Sequence, residues 1–214
     1  MELSQSLIFI GKGLLLTLQL LTGGILIGLL LGLLWAIARY QGVAALLVRR
    51  VISIIRGTPL ILQLSLIYFA TPAIAGIQPG ILGAGLIAFG LNSSAYFAEI
   101  FRAGIESVPI GQFEAAATLR IPTFFLWKDI ILPQVLKNIF PAMVSEVIAL
   151  LKETALISTI GGMDLMRNAQ SLAAEQFTYF LPLCIAGGYY YALVVLIEAL
   201  GKYIEKRGFH AAHP

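Results

Sequence analysis

Residues 14–37 read LLLTLQLLTGGILIGLLLGLLWAI, an uncharged run closed by Arg39. A helix needs about 20 mostly apolar residues to cross the hydrocarbon core of a bilayer, so this stretch crosses one. It sets the fold class as an all-α, polytopic membrane protein, because a chain in lipid must satisfy its backbone internally. The composition agrees. Of 214 residues, 59% are hydrophobic and 12% charged, with a mean hydropathy of +0.91. Soluble domains carry about 25% charged residues.

Outward from the first span, taken as 14–38, four more are expected at roughly 53–72, 80–101, 133–151 and 179–200. These make one domain of about five spans over residues 1–214. Cations orient the chain. With the segment after the first span inside, that side holds Arg39, Arg49, Arg50, Arg56, Arg102, Arg120, Lys128, Lys137, Lys202, Lys206 and Arg207. The outside holds Lys12, Lys152 and Arg167. The positive-inside rule therefore places the N-terminus outside and the C-terminus in the cytoplasm.

Composition also excludes functions. A net charge of +3 without a basic block argues against a nucleic-acid partner. The single cysteine, Cys184, excludes a disulfide framework within the chain. His210 and His213 read as tail residues rather than metal ligands. No cleavable leader is expected, since Glu2 and Lys12 precede the first span without a basic start or small-residue cleavage site. No Gly-rich Lys-Ser/Thr phosphate loop is present, so ATP chemistry would belong to another chain. The spans hold no paired aspartates, Ser-His arrangement or metal-spaced histidines, which leaves an intramembrane enzyme without support.

Residues 112–134, QFEAAATLRIPTFFLWKDIILPQ, interrupt the apolar pattern on the cytoplasmic side. Phe113 to Leu119 favours a helix, with Glu114 in its first turn and Pro122 as its stop. A helix this short is marginal alone and must dock on a surface.

Glu114-Ala115-Ala116, followed by Ile130, Leu132 and Pro133, resembles the EAA loop of ABC importer permeases. RGTPLILQ at 56–63, LNSSAYFAEIFRAGIESVPIGQFEAA at 91–116, LPQVLKNIFPAM at 132–143 and LLKETALISTIGGMDL at 150–165 extend the resemblance. Together they are similar to the polar amino acid branch, which includes histidine, glutamine and arginine permeases. The pattern's glycine is Arg120 here; Ser94 and Ala155 stand where Gly and Ser are usual.

The resemblance implies a type I importer subunit in a bacterial cytoplasmic (inner) membrane. It implies a coupling loop over 112–128, with Gln112, Phe113, Glu114, Ala115, Ala116, Leu119 and Arg120 seated on an ABC ATPase dimer that holds ATP and Mg. Further expected partners are a second permease subunit, an external solute-binding protein, the lipid bilayer and an amino acid substrate. No cofactor or metal is expected on this chain, and no enzymatic activity. A permease for another small solute, or a passive pore subunit without ATP coupling, is the alternative.

Substrate-path candidates are the polar groups inside spans. Glu146 and Glu153, seven residues apart, share nearly one helical face and together would suit a basic amino acid; the alternative for Glu146 is a place near the path entrance or a hydrogen bond to Asn138 or another helix. Asn92, Ser93, Tyr96 and Gln63 either line the path or bridge helices; Glu99 either joins Asn92 and Tyr96 on their face or pairs with Arg102. Arg56, Gly57, Thr58 and Pro59 read as a structural or gating element, with Pro59 in a first helical turn, and Pro133 as a helix restart. Gly23, Gly24, Gly28 and Gly32 form a small-residue stripe for packing against another span or, as the second reading, along a homodimer seam. Tyr189, Tyr190 and Tyr191 call for phenolic partners inside the bundle. The outside segment 152–179 is expected to include a short surface helix, either touching the binding protein or capping the bundle.

Overall fold

The computed structural model describes residues 3–42 and 45–209, so His210 and His213 lie outside the described residues. Two N-terminal helices, α1 (Leu3–Gly11) and α2 (Leu14–Tyr40), form one apolar stretch from Leu3 to Tyr40. The main partner of α2 is α6 (Ile81–Glu106). The glycine stripe is the reason. A Cβ on Gly28 would lie 2.8 Å from Ser93 Cβ, and one on Gly32 would lie 2.7 Å from Phe97 Cβ and 2.9 Å from the Ser94 carbonyl oxygen. Facing them on α6 are the buried small residues Ser93, Ser94, Ala95 and Ala98. The backbones can approach because the glycines of α2 leave room for Phe97 and for the small residues of α6.

The expected second span is corrected. Helix α3 (Ala45–Gly57) takes up its first residues and stops, and the chain resumes as α4 (Leu60–Ser65), a π-helical turn (Leu66–Ala70) and α5 (Thr71–Ala75). The bend between α3 and this second piece is 100°. Ser53 to Gly57 thus belong to α3, across the bend from the rest of the expected 53–72. Pro59 is extended, with φ −61° and ψ 133°, and its ring cannot continue the preceding helix. It caps α4 rather than occupying its first turn. Buried Ile52 holds α3 on Ala95 and Ala98 of α6, while Leu46, Leu47 and Ile54 remain exposed.

After α6 come α7 (Ile110–Thr118), the single turn α8 (Thr123–Phe125), a π-helical turn (Leu126–Ile131) and α9 (Leu132–Glu153), with Pro133 in its first turn. Helix α9 has 22 residues and so reaches about 33 Å, enough to cross. Three helical stretches are apolar enough to span by composition alone: Leu3–Tyr40, Ile81–Glu106 and Phe180–Gly208; the bent pair makes a fourth. Lys137, Glu146, Lys152 and Glu153 set α9 apart from them.

A 3-10 turn (Thr154–Ile160) leads to α10 (Leu165–Gln176), and α11 (Phe180–Phe209) follows. The main core joins Leu20 of α2, Phe89 of α6, Leu150 and Leu151 of α9, and Ile157. A second cluster joins Ile10, Leu165, Ala169, Leu172, Ile185 and Ala186. The helix expected within 152–179 is α10, and it buries one face against α1 and α11. Asp164 caps it, accepting from the amides of Arg167 at 2.9 Å and Met166 at 3.2 Å. The oxygen that accepts from Met166, Oδ2, also accepts from Tyr190 Oη at 3.1 Å. Tyr189 Oη donates to the Leu7 carbonyl at 3.1 Å, so two of the three tyrosines have phenolic partners; Tyr191 is exposed.

Candidate translocation path and coupling surface

Two carboxylates of α9 meet two polar side chains of α6. Ser93 Oγ donates to Glu146 Oε1 at 2.9 Å, and Asn92 Nδ2 donates to Glu153 Oε2 at 3.3 Å. Seven-residue spacing on α9 and adjacent positions on α6 produce this ladder. Asn92 and Ser93 are buried, whereas both glutamates are half-buried and keep an open side. An ionisable group at mid-membrane costs about 2.5–3.5 kcal/mol on insertion scales, and each hydrogen bond offsets part of that. Among the described residues, neither glutamate forms an ion pair with a protein cation. The ladder can therefore accept hydrogen bonds from a cation that the chain does not supply.

Towards the end of α6 that carries Glu106, charges converge on Glu99. It pairs with Arg39 of α2 at 2.6 Å and with Arg102 at 2.8 Å, and Arg56 of α3 stands 4.0 Å away. Arg102 also pairs with Glu106. The Arg56 guanidinium lies over the Tyr96 ring, 5.1 Å from its centroid. Arg56, Tyr96, Glu99, Ser107 and Asn138 line a cavity of about 420 Å³ between α3, α6 and α9. The expected pairing of Glu99 with Arg102 is present. Arg39, sixty positions from Glu99, gave no signal in the sequence. Asn138 donates to Ser107 Oγ at 2.9 Å and not to Glu146.

The face shared by Asn92, Tyr96 and Glu99 thus divides its work. Asn92 serves the carboxylate ladder, Tyr96 stacks with Arg56, and Glu99 gathers arginines. Gln63 has a different task. Its amide nitrogen donates to the Ile55 carbonyl at 2.8 Å, to the Thr58 carbonyl at 3.2 Å and to Thr58 Oγ1 at 2.8 Å. Thr58 Oγ1 in turn donates to the Ile54 carbonyl at 2.9 Å. Gln63 and Thr58 tie the two arms of the bend together across Gly57 and Pro59.

Helix α7 starts at Ile110, one turn earlier than the sequence suggests, so Glu114 falls in its second turn. It rests on the chain through Phe113, whose ring lies 6.3 Å from Trp127, and through Ala116, which is buried. Gln112, Glu114, Ala115, Leu119 and Arg120 are exposed. Ile110 and Leu119 are each 72% exposed, an apolar pair left uncovered by the described residues. The helix ends at Arg120 with φ 53°. The Ile121 amide donates to the Ala116 carbonyl at 2.9 Å and the Arg120 amide to the Ala117 carbonyl at 3.1 Å. This is the paired-bond ending that usually has glycine at the left-handed position, and here Arg120 adopts that conformation.

Residues 24–209 match the family described as the binding-protein-dependent transport system inner membrane component. A Rickettsia conorii protein named "Putative glutamine transport system permease protein" is 51% identical over 201 residues, covering 93% of this chain and 92% of its own length. An arginine transport system permease protein of Bacillus subtilis is 41% identical, with 93% and 92% covered. Among solved structures, an amino acid ABC transporter crystallised with histidines has a chain 38% identical, with a TM-score of 0.86 over 93% of this chain and 94% of that one. An inward-facing methionine ABC transporter shares the fold at a TM-score of 0.77 and 18% identity, with 93% of this chain and 95% of that one covered.

Proposed function

Because the chain belongs to the family of binding-protein-dependent transport system inner membrane components, we propose that it carries a polar, preferentially basic, amino acid across the cytoplasmic membrane, driven by a separate ATPase. The carboxylate ladder of Glu146 and Glu153 carries this reading. Two acidic groups with open sides and no paired protein cation among the described residues suit the ammonium or guanidinium of such a substrate. Asn92 and Ser93 hold the carboxylates in position. The names of the relatives, which include glutamine and arginine systems, favour the same substrate class.

Coupling runs through α7. Its exposed Ile110, Glu114, Ala115 and Leu119 dock on an ABC ATPase dimer that binds ATP and Mg, while Phe113 and Ala116 pass its movement to Trp127 and the start of α9. The chain works with a second permease subunit, most simply a copy of itself in a two-fold pair. An external solute-binding protein delivers the substrate on the side of α10, opposite the cytoplasmic C-terminus.

The test is uptake by the complete importer in liposomes, with its ATPase and binding protein, using labelled arginine, histidine and glutamine. Glu146→Gln combined with Glu153→Gln should abolish arginine uptake and spare the ATPase activity of the complex. Unchanged uptake of all three would remove the ladder from the path. Uptake that continues without ATP would favour a passive pore.

A further inference from the structure

A second, unassigned cavity lies away from the carboxylate ladder, between α2, α6 and α9. Its volume is about 670 Å³, and Leu33, Ile37, Phe101, Leu132, Val135 and Leu136 form most of its wall. Its mouth is aromatic: Tyr40 and Trp127 meet edge to face with centroids 5.1 Å apart. Tyrosine and tryptophan collect where acyl chains give way to headgroups. A smaller pocket of about 370 Å³ adjoins this mouth, sharing Ala36, Tyr40 and Ile105, and Arg39, Arg49 and Arg102 enter its wall.

The charges there are unbalanced. Arg39 and Arg102 are engaged with Glu99, and Glu106 is engaged with Arg102. Arg49 is exposed and forms no ion pair among the described residues. It sits on α3, whose exposed Leu46 and Leu47 and basic Arg49 and Arg50 have the pattern of a helix lying in a membrane surface. An apolar slot, an aromatic collar and an uncompensated cation in that order have the polarity sequence of one phospholipid molecule.

We propose that this groove binds a single anionic phospholipid of the cytoplasmic leaflet. One acyl chain lies along Leu33, Ile37, Leu132 and Leu136. The phosphate sits beyond Tyr40 and Trp127, held by Arg49 and by the remaining N–H groups of Arg39. A bound lipid would bridge α2, α3 and the start of α9, the helix that follows the coupling segment.

Native mass spectrometry of the detergent-purified importer complex, supplied with phosphatidylglycerol or with phosphatidylcholine of the same chains, tests the site. Phosphatidylglycerol should be retained over phosphatidylcholine. Arg49→Gln should weaken its retention about fivefold, the value of one surface cation, while phosphatidylcholine is unaffected. Leu136→Trp, which fills the slot, should reduce both lipids. Arg207→Gln, at the far end of α11, should change neither. Millimolar inorganic phosphate should not displace the lipid.

Equal retention of the two lipids, or an Arg49→Gln variant that binds as the parent does, would overturn the proposal. Full displacement by phosphate would reassign the pocket to a soluble anion. Disulfide cross-linking between two copies bearing Leu33→Cys together with Cys184→Ser would show that a second chain covers the groove, which equally overturns it.

Discussion

Arg120 and Phe177 hold the left-handed conformation at φ 53° and 51°, which costs an L-residue about 1–2 kcal/mol. Phe177 is 96% exposed, so its side chain returns nothing. Phe177→Gly should raise the stability of the detergent-solubilised chain by about 1 kcal/mol, read as a shift in the chemical denaturation midpoint. Arg120→Gly should do the same for the isolated chain. The spacing of the EAA pattern marked this position in advance, and the conformation there is the one that glycine would adopt. Asp164 shows what the sequence conceals. Nothing local sets it apart in the segment 152–179 except that it precedes the apolar Leu165, Ala169 and Leu172 of α10, as a cap does. Burial pushes its carboxyl above the usual carboxylate range, against the pull of the Arg167 and Met166 amides and the Tyr190 hydroxyl. The folded chain keeps that proton to a higher pH than the unfolded one, so the stability linked to it fades as pH rises through the folded value. Denaturation midpoints measured between mildly acid and neutral pH should carry this downward slope, and Asp164→Asn should flatten it.

At the scale of elements, the bend between α3 and α4 depends on one amide. Gln63→Leu keeps the side-chain bulk but removes three donated bonds, leaving the Ile55 carbonyl without its side-chain donor. The expected cost is about 1–3 kcal/mol, together with faster proteolysis between Arg56 and Leu60. Gln63→Glu should be no rescue, because an ionised carboxylate cannot donate. The sequence placed Pro59 at a helix start but merged α3 into the following span, since Ile52, Ile54 and Ile55 run into Leu60 with only Arg56, Gly57, Thr58 and Pro59 between. Hydropathy averages over such a window and cannot see a change of direction. The same averaging explains α9: its four charges reduce its apolar character, yet Glu146 and Glu153 bond to Ser93 and Asn92 of α6. Pairings across long separations, such as Arg39 with Glu99 and Asn92 with Glu153, have no local pattern to announce them. The carboxylates themselves stood out because charge inside a span is expensive.

For the whole molecule, the seam between α2 and α6 is the structural spine, and the four-residue glycine spacing made it legible. Gly32→Ala should cost about 1–3 kcal/mol by overpacking, since its new methyl meets Phe97 and the backbone at Ser94 and Ala98. Gly83→Ala, where nothing lies within 4 Å, should instead gain by helix propensity. Comparing the two melting curves separates seam packing from a general effect of replacing glycine.

That spine also imposes a schedule on biogenesis. Its first half leaves the ribosome at Tyr40, but its complement is not finished until Glu106. At 5–20 residues per second, synthesis of the interval takes roughly 3–13 s. Throughout it the glycine notch of the nascent chain stands vacant in lipid, open to any small-residue helix passing the translocon. A truncated chain stopped before residue 81 should therefore be a substrate for membrane quality control.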